Sequence, residues 1–281
     1  MKAPPDRPWP PAATEILVIV LTLTTGAVDA TCVLHLGHVF GSVITGNLVL
    51  IGASAALPAR VLAAAAVALG SYAAGVLVAA PIAREADRSD DDDSGRWPAR
   101  VIVCLGLEFC LLAAFSAGWL AAGGRPGPQA GLGLLALAAA GLGMQSAAVR
   151  RLGPFSTTYL TSMLTGILAG RATWSWPDGW RRSVAILAAL PTGAVIGAVT
   201  AANAPDLVPL VVLAPLAAVA GAALVLRRRA SEPGPGQPYL RPPWPAVGSS
   251  CGGGFAGQAD HAWGGEHAGC CMKPGFDTRK R

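Results

Sequence analysis

Ionisable and polar side chains interrupt the first long apolar stretch of the chain, residues 16–57. Asp29 lies within it, followed by His35, His38 and a polar triplet at residues 45–47. The stretch is too long for one membrane span, and a carboxylate at membrane depth costs at least roughly 2.5–3.5 kcal/mol. Asp29 therefore needs a partner, a proton or a water-filled cavity. The two histidines flank a glycine in a predicted tight turn and are interpreted as interfacial residues rather than metal ligands.

Uncharged polar side chains could complete a site around Asp29, and a second carboxylate lies in another apolar segment. The candidate solute- or ion-binding residues are Asp29, Thr45, Asn47, Gln145, Thr161 and Glu108. For Asp29 the alternative is structural: it caps the following segment, or hydrogen-bonds Thr45 or Asn47 to hold two helices together. Glu108 is either a second functional carboxylate or a side chain that extends to the membrane interface.

The composition is that of a polytopic membrane protein. Of 281 residues, 53% are hydrophobic and 13% charged, against about 25% charged in soluble domains. The net charge of +5 does not indicate nucleic-acid binding, because the basic residues lie at helix ends and in the tails. The first span is expected to act as an uncleaved signal-anchor.

The apolar segments divide the chain into two halves. We predict a disordered lead at residues 1–13, a first transmembrane repeat at 14–122, a second at 129–227 and a disordered Gly/Pro-rich tail at 228–281. The first repeat contains a charged loop at residues 83–99. No cofactor or metal is predicted: the aspartate run in that loop is treated as solvated, and the Cys and His residues of the tail match no standard zinc spacing.

The two halves repeat one design at a shift of 116 positions. The shift places Val33 on Val149, Thr45 on Thr161 and Asp29 on Gln145. Each half also has a helix with small residues four apart, which lets membrane helices approach closely. The predicted packing residues are Ser71, Gly75, Gly193 and Gly197.

We therefore predict an all-α, polytopic transmembrane helix bundle built from two sequence repeats. It has six full spans plus two glycine-broken segments, at residues 39–57 and 155–169, and up to eight spans if both segments cross the membrane. The repeats are parallel if the broken segments span and inverted if they are re-entrant. A count of charges for eight spans places both termini in the cytoplasm, together with Arg60 and Arg125.

The motifs resemble a known family. Gly26-x-x-Asp29, Leu36-Gly37-x-x-Phe40 and residues 45–48 (Thr-Gly-Asn-Leu), with a second-half signature at residues 143–147, are similar to the YoaK family of bacterial integral membrane proteins, a family domain of unknown function. The resemblance covers residues 15–227. The second copy departs from the pattern, because Ser162 and Met163 follow Thr161. The family is uncharacterised, so the resemblance implies an architecture and a multi-pass location in the bacterial inner (plasma) membrane, not an activity.

Paired halves with broken segments in corresponding positions are typical of secondary transporters with a site near the bilayer midplane. We predict a small-solute transporter or permease whose partners are the lipid bilayer and a small solute or a proton. The alternative is a non-transporting membrane scaffold. An enzyme is not expected, because no HExxH, GxSxG or paired-cysteine motif occurs. Transport predicts an aqueous pocket that reaches Asp29, and a scaffold predicts a dry, fully paired Asp29. The oligomeric state stays open.

Overall fold

The computed structural model describes residues 11–84, 99–150, 160–174 and 179–229, and all regular structure in these ranges is helical. The eight α-helices are α1 (Pro11–His35), α2 (Ile44–Gly52), α3 (Ala59–Arg84), α4 (Ala99–Ala121), α5 (Pro128–Val149), α6 (Leu160–Ala172), α7 (Trp180–Asn203) and α8 (Val208–Arg229). The all-α prediction is confirmed. Most of the predicted lead, the charged loop and the tail beyond residue 229 lie outside the described residues.

Six of these helices are long and apolar enough to cross a membrane, namely α1, α3, α4, α5, α7 and α8. The other two have 9 and 13 residues. At 1.5 Å per residue they extend roughly 14 and 20 Å, well short of a hydrocarbon core of about 30 Å. Helix α2 lies inside the predicted segment 39–57, and α6 begins inside the segment 155–169 and ends three residues beyond it, at Ala172. The described helices therefore match six spans plus two short segments rather than eight spans.

Contacts at the helix ends give the directions of the helices. The ring of His35 at the end of α1 meets the ring of Trp119 at the end of α4 edge-on, 5.5 Å between centroids. Trp119 Nε1–H donates to the Pro205 carbonyl, 2.9 Å away, just before α8 begins. Glu15 near the start of α1 pairs with Arg182 near the start of α7, at 3.0 Å. Thus α1, α4 and α7 run one way, and α8 runs the opposite way.

The segment between α1 and α3 begins and ends on the same side of the bundle, the side at which α1 ends. Gly37 takes a φ of +111° in the predicted turn, and there it packs against Ala64 in the second turn of α3. Helix α3 therefore starts where α1 ends and runs antiparallel to it. Helix α5 follows α4 after a short loop and runs in the same direction as α3. The helix order is consequently α1 up, α3 down, α4 up, then α5 down, α7 up, α8 down.

The helix contacts are symmetric between the two halves. The most extensive pairings join α1 with α7 and α3 with α5. If each helix of the first half is exchanged with its counterpart in the second half (α1 with α5, α3 with α7, α4 with α8), the α1–α7 pairing becomes the α3–α5 pairing. The same exchange turns the α4–α5 pairing into the α1–α8 pairing. Because α1 and α5 run in opposite directions, this is the arrangement expected of inverted repeats. The duplication of sequence itself stays a prediction.

Glycines bring the backbones of α1 and α7 into contact. Gly193 lies against the backbone of Leu23, and Gly197 lies against that of Ala27. Gly26 on α1 in turn lies against the carbonyl group of Leu190. Both glycines predicted on α7 therefore lie where a side chain would collide with main-chain atoms.

The contact between α3 and α5 is built in the same way, and these two close helix contacts are called seams below. Gly75 lies against the backbone of Ala140, and Gly143 lies against that of Tyr72. The pair Gly26 and Gly193 thus matches the pair Gly143 and Gly75, because each glycine of a pair meets the residue three positions before the other. Ser71, one turn before Gly75, is half-buried.

Candidate functional site

Asp29 is buried near the end of α1 and holds the chain that enters α2. Its Oδ1 accepts the backbone N–H of Ser42 at 2.8 Å, and its Oδ2 accepts the Ser42 hydroxyl at 2.6 Å. The side chain is 6% exposed. Through these two bonds the carboxylate satisfies a main-chain and a side-chain donor just before α2. Thr45 and Asn47, the partners considered for Asp29 from the sequence, are not the ones that it uses.

Asn47 holds the same segment from within α2. Its side-chain Nδ2–H donates to the Phe40 carbonyl at 2.6 Å, and the Phe40 N–H donates to Asn47 Oδ1 at 3.0 Å. Asn47 is fully buried. Non-helical backbone inside a membrane bundle must have its polar groups satisfied. Asp29 and Asn47 do this at residues 40 and 42, and so hold the approach to α2 in a non-helical conformation.

A cavity of about 970 Å³ lies between the first turns of α2 and α6. Thr45 on α2 and Thr161 on α6 both line it, as does Ser42, whose hydroxyl is bound to Asp29. The residue before α2, Val43, makes no side-chain cap hydrogen bond. Because the first N–H groups of a helix have no intrahelical acceptor, this turn can donate hydrogen bonds to a polar solute. The volume is within the range of small-molecule sites.

The remaining walls of the cavity come from the long helices of both halves. They are formed by Tyr72, Val76 and Ala80 of α3, Ser146, Ala147 and Arg150 of α5, and Leu190 of α7. The lining is mixed, with apolar side chains, hydroxyl groups and one guanidinium group. Such a surface suits a small solute that has both polar and apolar parts.

Gln145 lies beside a second, much smaller pocket of about 20 Å³, which is room for about one water molecule. Thr22, Thr25 and Ser42 also line it. The Gln145 side-chain amide oxygen lies 3.3 Å from the Thr25 hydroxyl, and this contact joins α5 to α1. Thr22, Thr25 and Asp29 share the buried face of α1. Ser42 is common to both pockets.

Glu108 lies apart from these residues, on the face of α4 that packs against α5. It is fully buried, and neither carboxyl oxygen has a hydrogen-bond partner in the described part of the chain. This buried position does not agree with the alternative considered from the sequence, in which the Glu108 side chain extends to the membrane interface.

Of the six candidate binding residues, the structure brings Thr45 and Thr161 to one cavity and Asp29 directly behind it. Gln145 lies at the adjoining pocket, Asn47 serves the loop, and Glu108 is elsewhere. Sequence reasoning did not select Ser42, which contacts both Asp29 and the cavity. The sequence feature that could have indicated Ser42 is its position immediately after Gly41, near the start of a broken segment.

Six helices long and apolar enough to span a membrane, with two short helices that line one cavity, define a multi-pass α-helical membrane protein. Residues 17–226 match the model of a family described as a protein of unknown function (DUF1275). The chain belongs to this family.

The UPF0700 transmembrane protein YoaK of Bacillus subtilis (strain 168) is a relative, 31% identical over 155 residues. The alignment covers 54% of this chain and 64% of the relative, a little under two thirds of its length. The predicted resemblance to the YoaK family is therefore confirmed. No solved structure matches the chain.

Proposed function

We propose that this protein is a transporter or permease that moves a small polar solute across the bacterial inner (plasma) membrane. The solute would bind in the cavity between the first turns of α2 and α6. The observation that carries the proposal is this cavity of about 970 Å³, lined by a threonine from each short helix. Irregular backbone inside a membrane bundle is tolerated where it is buried in protein or lines a cavity, and here it does both.

The arrangement of the helices supports movement as well as binding. Inverted halves with their site at the interface between them are typical of carriers that open to either side by rocking one half against the other. In the proposed cycle this structure is one state, in which residues of the α3–α5 seam line the cavity. The hydrogen bonds between Asp29 and Ser42 separate the cavity from α1 in this state. Opening on the α1 side would require Ser42 to leave Asp29.

The charges support an orientation for this cycle. With six spans, Arg60 and Arg125 lie opposite the termini, which reverses their placement in the eight-span count. Most other arginines at helix ends lie on the side where α1 begins, among them Arg100, Arg150, Arg171, Arg181, Arg182 and Arg227–Arg229. By the positive-inside rule this side is cytoplasmic, with both termini inside.

The test is the thermal stability of purified protein in nanodiscs across a panel of small solutes. We expect a solute that stabilises the wild type and loses its effect in Thr45→Val and Thr161→Val. Thr31→Val is the matched control, because Thr31 is buried and bonds only within its own helix, to the Ala27 carbonyl at 2.9 Å. In Asp29→Asn the solute shift should be weakened and the fold retained.

A non-transporting scaffold is the second candidate, and the hydrogen bonds of Asp29 favour it. That carboxylate and Asn47 are both occupied by the protein's own loop. A scaffold predicts that no solute shifts the melting temperature. It also predicts that Asp29→Asn lowers stability equally in every buffer, while both threonine variants behave like the Thr31 control.

A further inference from the structure

Glu108 is the one buried side chain in the described residues whose carboxylate lacks every hydrogen-bond partner. It lies near the middle of α4, and its exposure is 0%. Gly141 on α5 stands opposite it, and a methyl group there would be 3.7 Å from Glu108 Cγ. The side chain of Glu108 thus lies directly against α5 within the α4–α5 seam. Unsatisfied polar groups of this kind are rare in folded proteins and call for an explanation.

Within the described residues, the helices around Glu108 place no cation beside it. Helices α3, α5 and α8 pack against α4. Helix α5 contains no ionisable residue, α8 contains only Arg227–Arg229 at its end, and α3 contains only Tyr72 between Arg60 and Arg84 near its two ends. On α4 itself the neighbouring ionisable group is Cys104, one turn earlier, whose Sγ lies 3.8 Å from the Ala79 carbonyl oxygen.

An ionised carboxylate without a partner is the most costly group that such a seam could hold. The neutral carboxylic acid is far less costly, because only hydroxyl and carbonyl groups remain to be desolvated. Asp29 is the informative contrast: it lies at a similar burial but accepts two hydrogen bonds. The two carboxyl groups therefore suit different tasks, and Glu108 suits the binding of a proton.

We propose that Glu108 is a proton-binding site, and that its carboxyl group gains and loses a proton as the helices around α4 move. This inference rests on the proposed transport function and names the coupling ion of that transport. Ser116, eight residues further along α4, is also buried without a hydrogen-bond partner in the described part of the chain. Helix α4 therefore buries two unpaired polar side chains.

The experiment is labelling of the wild-type protein with dicyclohexylcarbodiimide, an apolar reagent, followed by mass spectrometry of peptides. The neutral acid adds across a C=N bond: its proton goes to one nitrogen, its oxygen bonds to the central carbon, and acyl transfer to nitrogen gives a stable N-acylurea. Nothing leaves, so the peptide gains the full mass of the reagent. We expect labelling at Glu108 that decreases as the buffer is made more alkaline and is lost in Glu108→Gln.

Glu108→Gln keeps the shape of the neutral acid, so its melting temperature should match that of the wild type at acidic pH and exceed it at alkaline pH. Thr31→Val is again the control and should leave labelling at Glu108 unchanged, because Thr31 bonds within its own helix to the Ala27 carbonyl. Absence of labelling at Glu108 at every pH, or equal pH dependence of melting in wild type and Glu108→Gln, would overturn the proposal. Labelling needs no solute. Labelling without any solute shift would therefore refute transport alone, and a solute shift without labelling would refute the proton site alone.

Discussion

Replacement of Gly75 by alanine should separate α3 from α5. The added methyl group would lie 3.1 Å from Ala140 Cα and closer still to the Ala140 carbonyl oxygen, and both atoms belong to the main chain. Neither can rotate away, so the two helices must move apart. Overpacking of this kind costs about 1–3 kcal/mol. On the scale of soluble chains of similar size this lowers the melting temperature by about 2–12 °C.

Gly70→Ala is the matched control on the same helix, because no heavy atom lies within 4 Å of its added methyl group. Alanine is the better helix former by up to about 1 kcal/mol, so this variant should be as stable as the wild type or more stable. Thermal melting of both variants in identical nanodiscs measures the difference. Equal melting of Gly75→Ala and Gly70→Ala would refute the close approach of the two helices.

The equivalence of the two seams can be tested with Gly193→Ala. Its methyl group would lie 2.9 Å from Leu23 Cα on α1. A loss of the same order as in Gly75→Ala is expected if the seams are built alike.

Three further predictions concern single contacts. Asn47→Ala leaves the N–H and C=O of Phe40 unsatisfied and should cost at least about 1–3 kcal/mol in nanodisc melting; a neutral result would mean that water replaces both bonds. Trp119→Phe removes the hydrogen bond to Pro205 and should cost about 0.5–1.5 kcal/mol, with no loss if α4 and α8 do not meet there. Glu15→Gln breaks a partly exposed ion pair to α7 and should cost at most about 1 kcal/mol, a loss that high salt removes; a larger, salt-independent loss would contradict this.

The spans were predictable because length and apolar content alone decide them. Residue 129, at which the second half was predicted to begin, lies next to Pro128, where α5 begins. Within the broken segment predicted at residues 39–57, the helix itself begins only at Ile44. Hydrogen bonds from Asp29 and Asn47 hold the intervening residues out of the helix, and neither bond leaves a periodic trace in the sequence.

The candidate site was predictable as a set of residue types but not as an assembly. Thr45 and Thr161 were chosen from their corresponding positions in the two halves, and they do line one cavity. The hydrogen bond between Asp29 and Ser42 was not predicted, because it depends on the depth at which the loop re-enters the bundle. Asp29 and Glu108 look alike in sequence, since both are single carboxylates in apolar helices. Only the packed structure distinguishes Asp29, which accepts two hydrogen bonds, from Glu108, which accepts none in the described residues.

The symmetry of the seams gives Asp29 a further significance under the proposed function. Ser146 stands three residues after Gly143, and Asp29 stands three residues after Gly26. The seams therefore match Asp29 with Ser146, one position beyond Gln145, on which the sequence shift of 116 places it. Ser146 lines the cavity in the present structure, whereas Asp29 is held by Ser42. A carrier with inverted halves exchanges the conformations of the two seams when it opens to the other side. In that state Asp29 would line the cavity. The contact that makes Asp29 look structural here is thus the one that transport would have to break.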